Sequence, residues 1–376
     1  MSEIVARISD GVASFAAEEW DRCAGFDDPF TSHAFLAALE ESGSVGPRTG
    51  WQPVPVSIEG ADGGVAAAMP AYVKSHSKGE YVFDHAWADA FERAGGDYYP
   101  KLQIAVPFTP VPGRRLLAAD EAMAPALIRA AEALVLQNDL SSAHATFIAR
   151  EEVEAFERAG WLIRLDSQFH WLNEGYGSFD DFLGSLSSRK RKAIRKERAS
   201  ALDGLEVRLL SGGEIEEAHW DAFWLFYQDT GSRKWGRPYL TREFFSLLGE
   251  RLGDRVLLVL AMRGDQPVAG ALNLIGADAL YGRYWGTTIE APNLHFEICY
   301  YQAIDYAIAH GLSRVEAGAQ GAHKLSRGYR PVPTFSAHFF ADERLRDAVA
   351  SFVEREREAV LDEIAELGLY TPFRKG

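Results

Sequence analysis

The chain has 376 residues, with 54 Asp and Glu against 39 Lys and Arg, giving a formal net charge of −15. That length predicts about two domains, and the acidic total argues against a protein that coats nucleic acid, because phosphate binding needs clustered cations. Two distant cysteines, Cys23 and Cys299, rule out a disulfide framework or a CxxC zinc site.

In chain order, Ala34, Phe35, Ala38 and Leu39 recur at helical spacing, with Thr31 or Ser32 as N-cap. Residues 51–59 alternate, with Val54, Val56 and Ile58 on one side, and a Gly-rich turn at 60–64 leads into 65–72, a hairpin signal. Short strands are expected at 81–83, 102–106 and 145–148, and an amphipathic helix at 121–137. A helix over 151–159 is closed by Gly160, and 161–172 reads as strand. The second half repeats this order. It has helices at 179–198, 215–230 and 242–252 and a hairpin of 255–262 and 267–275. A strand at 280–285, a helix at 295–309, a strand from Arg314 and a final helix at 342–367 complete it. The aromatics Trp220, Phe223, Trp224, Phe226, Tyr227 and Trp235 read as core packing rather than base stacking. The expected fold class is α/β (α+β): two similar units, residues 1–165 and 166–376, each a mixed, mostly antiparallel sheet flanked by helices.

Residues 1–20 lack the apolar core of a signal peptide, and the longest apolar run, near 256–262, is far short of the roughly 20 residues needed to span a bilayer. A cytoplasmic location is the expectation. HExxH, Walker A and G-x-S-x-G motifs are missing, so no metal or serine-nucleophile mechanism is expected. The largest charge anomaly is residues 189–198, with seven cations in ten residues. It reads either as a binding face for a phosphate-bearing partner or as a solvated helix face paired with acidic surface.

Several segments carry a family resemblance. They are Pro267-Val268-Ala269-Gly270-Ala271, Tyr281-Gly282-Arg283-Tyr284-Trp285-Gly286-Thr287, the helix from His295 to Gln302, and Glu316-Ala317-Gly318-Ala319-Gln320-Gly321-Ala322-His323-Lys324. With the basic helix 179–198, Asp28-Pro29-Phe30-Thr31-Ser32-His33-Ala34-Phe35 and Tyr98-Tyr99-Pro100-Lys101-Leu102, they resemble the FemAB-like predicted N-acyltransferases. That family uses the GCN5-related N-acetyltransferase (GNAT) fold twice per chain. The resemblance implies two packed acyltransferase-like halves with a cleft between them. It also implies transfer of an acyl or aminoacyl group from acyl-CoA or aminoacyl-tRNA to an amine, such as that of a cell-wall precursor, with no tightly bound cofactor. The chain departs from the CoA-binding pattern at Arg283-Tyr284-Trp285-Gly286-Thr287-Thr288, which ends in Thr and precedes a further loop.

Amine acylation needs a base, oxyanion donors and groups that hold the donor. Glu316, at a strand end before glycines, is the first candidate base, followed by Glu297, His295 and Asp84. For Glu297 the helix dipole alone is a sufficient reason, and the stronger one. Arg283, Tyr284, Trp285, His323, Lys324 and Arg327 are candidate substrate contacts, as are His85, Trp87, Tyr99 and Lys101 in the first half. Arg189, Lys190, Arg191, Lys192 and Arg195 are the candidate donor-binding cations, possible contacts for tRNA. Cys299, inside a helix pattern, reads as core. A competing class is a non-catalytic module that keeps the fold and binds a cell-wall precursor or RNA.

Overall fold

The structure is a computed structural model. It describes residues 5–61, 63–234, 238–318 and 321–374, except the side chains at 231–234 and 322. Trp235, Ala319 and Gln320 lie outside the described residues. In chain order the elements are β1 (Ala6–Ile8), α1 (Ala17–Ala24), α2 (His33–Glu41), β2 (Trp51–Pro53), β3 (Val56–Glu59), β4 (Val65–Met69), β5 (Ala71–Lys74), α3 (His85–Arg93), β6 (Lys101–Ile104) and β7 (Leu117–Ala118). They continue with α4 (Ala124–Gln137), β8 (Ser142–Ile148), α5 (Val153–Arg158), β9 (Leu162–Leu172), α6 (Phe179–Ser185), α7 (Ser188–Ala201), β10 (Glu206–Leu210), α8 (Glu217–Lys234) and α9 (Arg242–Leu252). The last are β11 (Val256–Arg263), β12 (Gln266–Ile275), β13 (Ala279–Thr287), α10 (Leu294–Phe296), α11 (Gln302–Ala309), β14 (Arg314–Glu316), β15 (Arg330–Phe340) and α12 (Glu343–Leu369).

Contacts divide the chain into two compact units, Met1–Asp166 with Pro333–Asp362, and Ser167–Val332 with Glu363–Gly376. A single break in sequence therefore does not describe the units, because most of β15 and α12 groups with the first. There β15, β8, β6, β5 and β2 are hydrogen-bonded in that order, with β6 and β8 parallel and the other pairs antiparallel. A second sheet runs β1-β3-β4-β7. Ser32 Oγ caps α2 by accepting from Phe35 N at 3.2 Å. Leu127, Ile128, Ala131 and Val135 of α4 are buried against apolar residues of β3, β4, β6 and β8. Leu345, Val349 and Val353 of α12 are buried with Trp87 and Tyr98.

In the second unit β10, β11, β12 and β13 form an antiparallel meander. β14 joins β13 in parallel and pairs antiparallel with the end of β9. Gly264, at φ 60°, supplies the left-handed residue of the two-residue turn between β11 and β12. Val256 to Met262 are buried throughout, a strand covered on both faces, which explains its apolar run without alternation. Ile298, Ala303, Ile304 and Ala307 are buried in the same core as Phe182 and Leu183 of α6.

Four expected features differ. The strands 51–59 and 65–72 are each broken in two: β3 pairs with β4 in one sheet, and β2 with β5 in the other. Residues 81–83 are not strand: Tyr81 sits at φ 61° in the left-handed region, which breaks extension. The expected helix 179–198 is two helices. Leu186 bridges to Phe373 and Ser187 N donates to Pro372 O, so the chain between α6 and α7 pairs with the C-terminal segment instead. The helix expected over 295–309 holds a π-helical turn at Glu297–Tyr301 between α10 and α11.

Candidate active site

The second unit has a break in its sheet. The parallel pairing of β13 and β14 covers only Ala279 to Tyr281 against Arg314 to Glu316. β13 continues to Thr287 with no strand on that side among the described residues. The register with β12 shifts there, Leu272 facing Tyr284 and Asn273 facing Gly282, so Arg283 is the extra residue of a bulge. A pocket of about 100 Å³ opens beside the bulge, lined among others by Asn273, Gly282, Trp285, His295, Cys299 and Tyr300. The π-helical turn carries Cys299 and Tyr300 to it, as such turns inside helices often do at functional sites. Trp285 and His295 rings pack at 4.6 Å between centroids, and Arg283 and Tyr284 also line the pocket. Four candidates from the sequence, Arg283, Tyr284, Trp285 and His295, thus meet at one place.

Glu316 closes β14, immediately before the pocket residues Ala317 and Gly318. Its carboxylate is buried. Oε1 accepts from Arg314 Nε at 2.8 Å, and Oε2 has no hydrogen-bond partner and lies 3.6 Å from His170 Nε2. Burial raises its proton affinity above the ordinary carboxylate range, and the Arg314 charge offsets this only in part. Burial, with the Arg314 and Lys324 charges, holds His170 neutral, its pKa lowered to about 3. Lys324 is buried too. Its Nζ donates to Gly318 O at 2.7 Å, and burial lowers its pKa to about 7. It was expected as a substrate contact; its ammonium is instead buried and pins the loop beside the pocket.

Other candidates are engaged elsewhere. Glu297 is fully buried and accepts from Arg198 Nε and Nη2 and from Gln302 Nε2. That leaves it an ion-pair partner rather than a carboxylate with a free face. Arg327, nearly buried, donates to Glu197 at 2.9 Å and lies over the Phe296 ring at 3.4 Å, with its Nε lacking a hydrogen-bond partner. His323 is exposed, with Nε2 3.0 Å from Tyr300 Oη. On α7 the cations divide. Arg198 pairs with Glu297 and Asp305, and Arg195 pairs with Asp180. Arg189, Lys190, Arg191 and Lys192 are exposed or half-exposed and make no ion pair among the described residues.

In the first unit Asp84 and Lys101 are not at an open surface. Lys101, fully buried, donates to Asp84, to Glu80 at 2.7 Å and to Ser77 at 2.8 Å. Burial disfavours its charge, but the two carboxylates outweigh that and keep it protonated. Lys101 in turn overcomes the burial of Asp84 and holds that carboxyl well below its usual range, unlike a group poised to accept a proton. Tyr98 donates to Asp84 at 2.8 Å and stands 3.2 Å from His144 Nε2, while His144 Nδ1 meets His338 Nδ1 at 2.7 Å. Lys74 and Glu80 complete the cluster. Trp87 packs edge-on to His338, Tyr99 bonds Ser77 at 2.8 Å, and His85 is exposed. His170, Asn273, Lys74, Glu80, His144 and His338 were not singled out from the sequence. The available signal was a polar residue inside a buried strand, as with Asn273, the one polar side chain in 268–275.

Among the described residues no three His, Cys, Asp or Glu side chains are grouped to hold a metal ion, and no helix is long and apolar enough to cross a membrane.

A family model described as FemAB-like, peptidoglycan biosynthesis/recognition, matches residues 11–375, and the chain belongs to that family. No curated protein matches the sequence. Similar solved structures include the C-terminal domain of a putative lysylphosphatidylglycerol synthetase from Agrobacterium fabrum, at 10% identity and TM-score 0.56, over 90% of this chain and 96% of that one. FemX is similar at 12% identity and TM-score 0.55, over 93% of this chain and 100% of that one. L-PGS from Bacillus licheniformis follows at 11% and 0.51, over 88% and 97%. At such identities the likeness concerns the fold. The fold class is the tandem GNAT-like one, with a mixed, mainly antiparallel sheet flanked by helices in each unit.

Proposed function

We propose that this FemAB-like protein is an N-acyltransferase that moves an acyl or aminoacyl group to an amine at the pocket of its second unit. The observation that carries this reading is Glu316. It is a buried carboxylate with an unpartnered oxygen and a raised proton affinity, at the end of β14 where β13 and β14 part. A base for an ammonium nucleophile works best when its pKa approaches the operating pH, and burial moves Glu316 in that direction. In the proposed step Glu316 takes the proton and the free amine attacks the donor carbonyl. Backbone N–H groups on the unpaired edge of β13 steady the oxyanion. The C–N bond forms as the C–S bond of acyl-CoA or the C–O bond of aminoacyl-tRNA breaks, releasing free CoA or tRNA.

A cell-wall precursor amine as acceptor accords with the family's description. The open cations Arg189, Lys190, Arg191 and Lys192 favour a phosphate-rich donor, so aminoacyl-tRNA is the donor we favour over acyl-CoA. Gly286 supports the same choice. A Cβ there would lie 2.0 Å from Phe226 O, so this glycine serves the approach of α8 and not a pyrophosphate. The test is acceptor-dependent release of free tRNA or CoA from charged donors. Glu316→Gln should lower kcat by about 10²-fold or more while binding donor normally. Its removal should also abolish the rise of rate with pH. Unchanged turnover in a folded Glu316→Gln protein would remove Glu316 as base.

A further inference from the structure

We infer that Asn273 reads an N–H donor on a small group seated in the pocket of the second unit. This rests on the pocket being the acyl site proposed above. Asn273 lies mid-strand in β12 with 1% of its surface exposed, and it lines the pocket. Its amide orientation is fixed by its neighbours. Nδ2 donates to Leu257 O at 3.2 Å and to Ala271 O at 3.4 Å, two carbonyls that only the NH₂ can satisfy. Oδ1 therefore points the other way, and it has no hydrogen-bond partner. A buried acceptor left unpaired is costly, and such atoms in native proteins call for an explanation. The side chain opposite on β13 is only the hydrogen of Gly282. A Cβ built there would stand 3.5 Å from Asn273 Oδ1, 3.4 Å from Glu316 O and 3.6 Å from Ala317 Cα. So no side chain from β13 stands against Oδ1, and an alanine at position 282 would place its Cβ in contact with that oxygen, next to the end of β14.

Size narrows the class. About 100 Å³, against roughly 30 Å³ for a water in the liquid, holds about three or four non-hydrogen atoms. A glycyl group, with about four non-hydrogen atoms, fits that space, and so does the amide-bearing end of a pantetheine arm. Both offer an N–H near the carbonyl or thioester, and the two sources separate experimentally.

The experiment measures binding by calorimetry, with 3′-glycylamino-3′-deoxyadenosine, its 3′-acetylamino counterpart lacking the amine, and acetyl-CoA as probes. The proteins are wild type, Asn273→Leu and Gly282→Ala. Gly282→Ala meets only ordinary van der Waals contacts, so it folds even where loss of the Asn273 donor bonds makes Asn273→Leu unstable. An aminoacyl source predicts about tenfold or greater preference for the glycyl over the acetyl probe, lost in both variants. A pantetheine source predicts acetyl-CoA binding that both variants weaken about tenfold, at unchanged melting temperature for Gly282→Ala. Equal weakening of the glycyl and acetyl probes with no effect on acetyl-CoA would overturn the inference. So would no change in either variant, or no binding of any probe at millimolar concentration. Because binding is read without turnover, a protein that shows the preference yet never transfers an acyl group would refute the transferase reading alone.

Discussion

Replacing Glu297 by Gln separates a structural carboxylate from a catalytic one. Glu297 is fully buried, and Arg198 reaches it through Nε and Nη2 at 3.1 and 2.9 Å. Removing one partner of a buried ion pair costs about 3–5 kcal/mol, because the other charge is left uncompensated. Here the loss is smaller. Arg198 keeps Asp305 at 3.2 Å, the Phe179 ring at 4.4 Å and 21% of its side chain in solvent. We expect about 2–4 kcal/mol, which for a unit of this size lowers the melting temperature by roughly 5–12 °C. Differential scanning calorimetry measures the shift, and acceptor-dependent release of donor, normalised to folded protein at a low temperature, measures turnover. The structural reading requires a large melting shift with turnover per folded molecule within about threefold of wild type. A Glu297→Gln protein that melts like wild type and loses turnover would refute it and return Glu297 to the list of bases.

Gly286→Ala should destabilise by about 3 kcal/mol or more, since its Cβ would meet backbone and not a flexible side chain; a melting curve superimposable on wild type would show that α8 can retreat. If tRNA is the donor, Arg191→Gln with Lys192→Gln should reduce the slope of log K against log salt by about 1–2, read by filter binding at several salt concentrations, while melting stays unchanged. The Lys74–Glu80 pair gives a pH signature. Glu80 is raised from 4.5 to about 7, so its stabilising contribution is lost as pH rises from about 4.5 to 7. Lys74 is lowered from 10.5 to about 7, so stability recovers as pH rises from about 7 toward 10.5. Each limb has a slope of up to about 1.4 kcal/mol per pH unit. Urea unfolding across pH 5 to 9 should therefore show a contribution with its minimum near neutrality, absent in Lys74→Met/Glu80→Gln; a difference from that double variant that does not vary with pH would refute it.

Hairpins and amphipathic helices were legible because their signals are local. The turn at Gly264-Asp265 and the stripe of Leu345, Val349 and Val353 need only neighbours in sequence. What was not legible depends on register. That Arg283 is the bulged residue, and that Gly282 faces Asn273, follows from how β12 and β13 slide past each other, which composition does not encode. Asn273 carried one local sign, polarity within a buried apolar strand. Lys74 and Lys101 carried less, because lysines at strand ends ordinarily reach solvent. Burial becomes tolerable through partners that the fold brings together: Glu80, Asp84 and Ser77 for Lys101, and Glu80, Lys78 O and the Trp51 ring for Lys74.

The seven cations of residues 189–198 show how one sequence signal can hold two physical roles. Ile194 is the buried residue within that run, so α7 lies on its unit by one narrow face. Side chains along that face must find partners, and Arg198 finds Glu297 and Asp305. Its neighbour Glu197 turns the same way, accepting from Tyr301 and Arg327. These contacts fix α7 against the π-helical turn that carries Cys299 and Tyr300 to the pocket. The first turns bear Arg189, Lys190, Arg191 and Lys192 with no carboxylate drawn to them among the described residues, in a chain with 54 acidic side chains available. Like charges so close repel one another, and a solvated face that served stability alone would gain by interleaving acids at i+4 spacing. The uncompensated end is therefore the part of α7 that a polyanion would relieve, while the paired end couples that helix to the pocket.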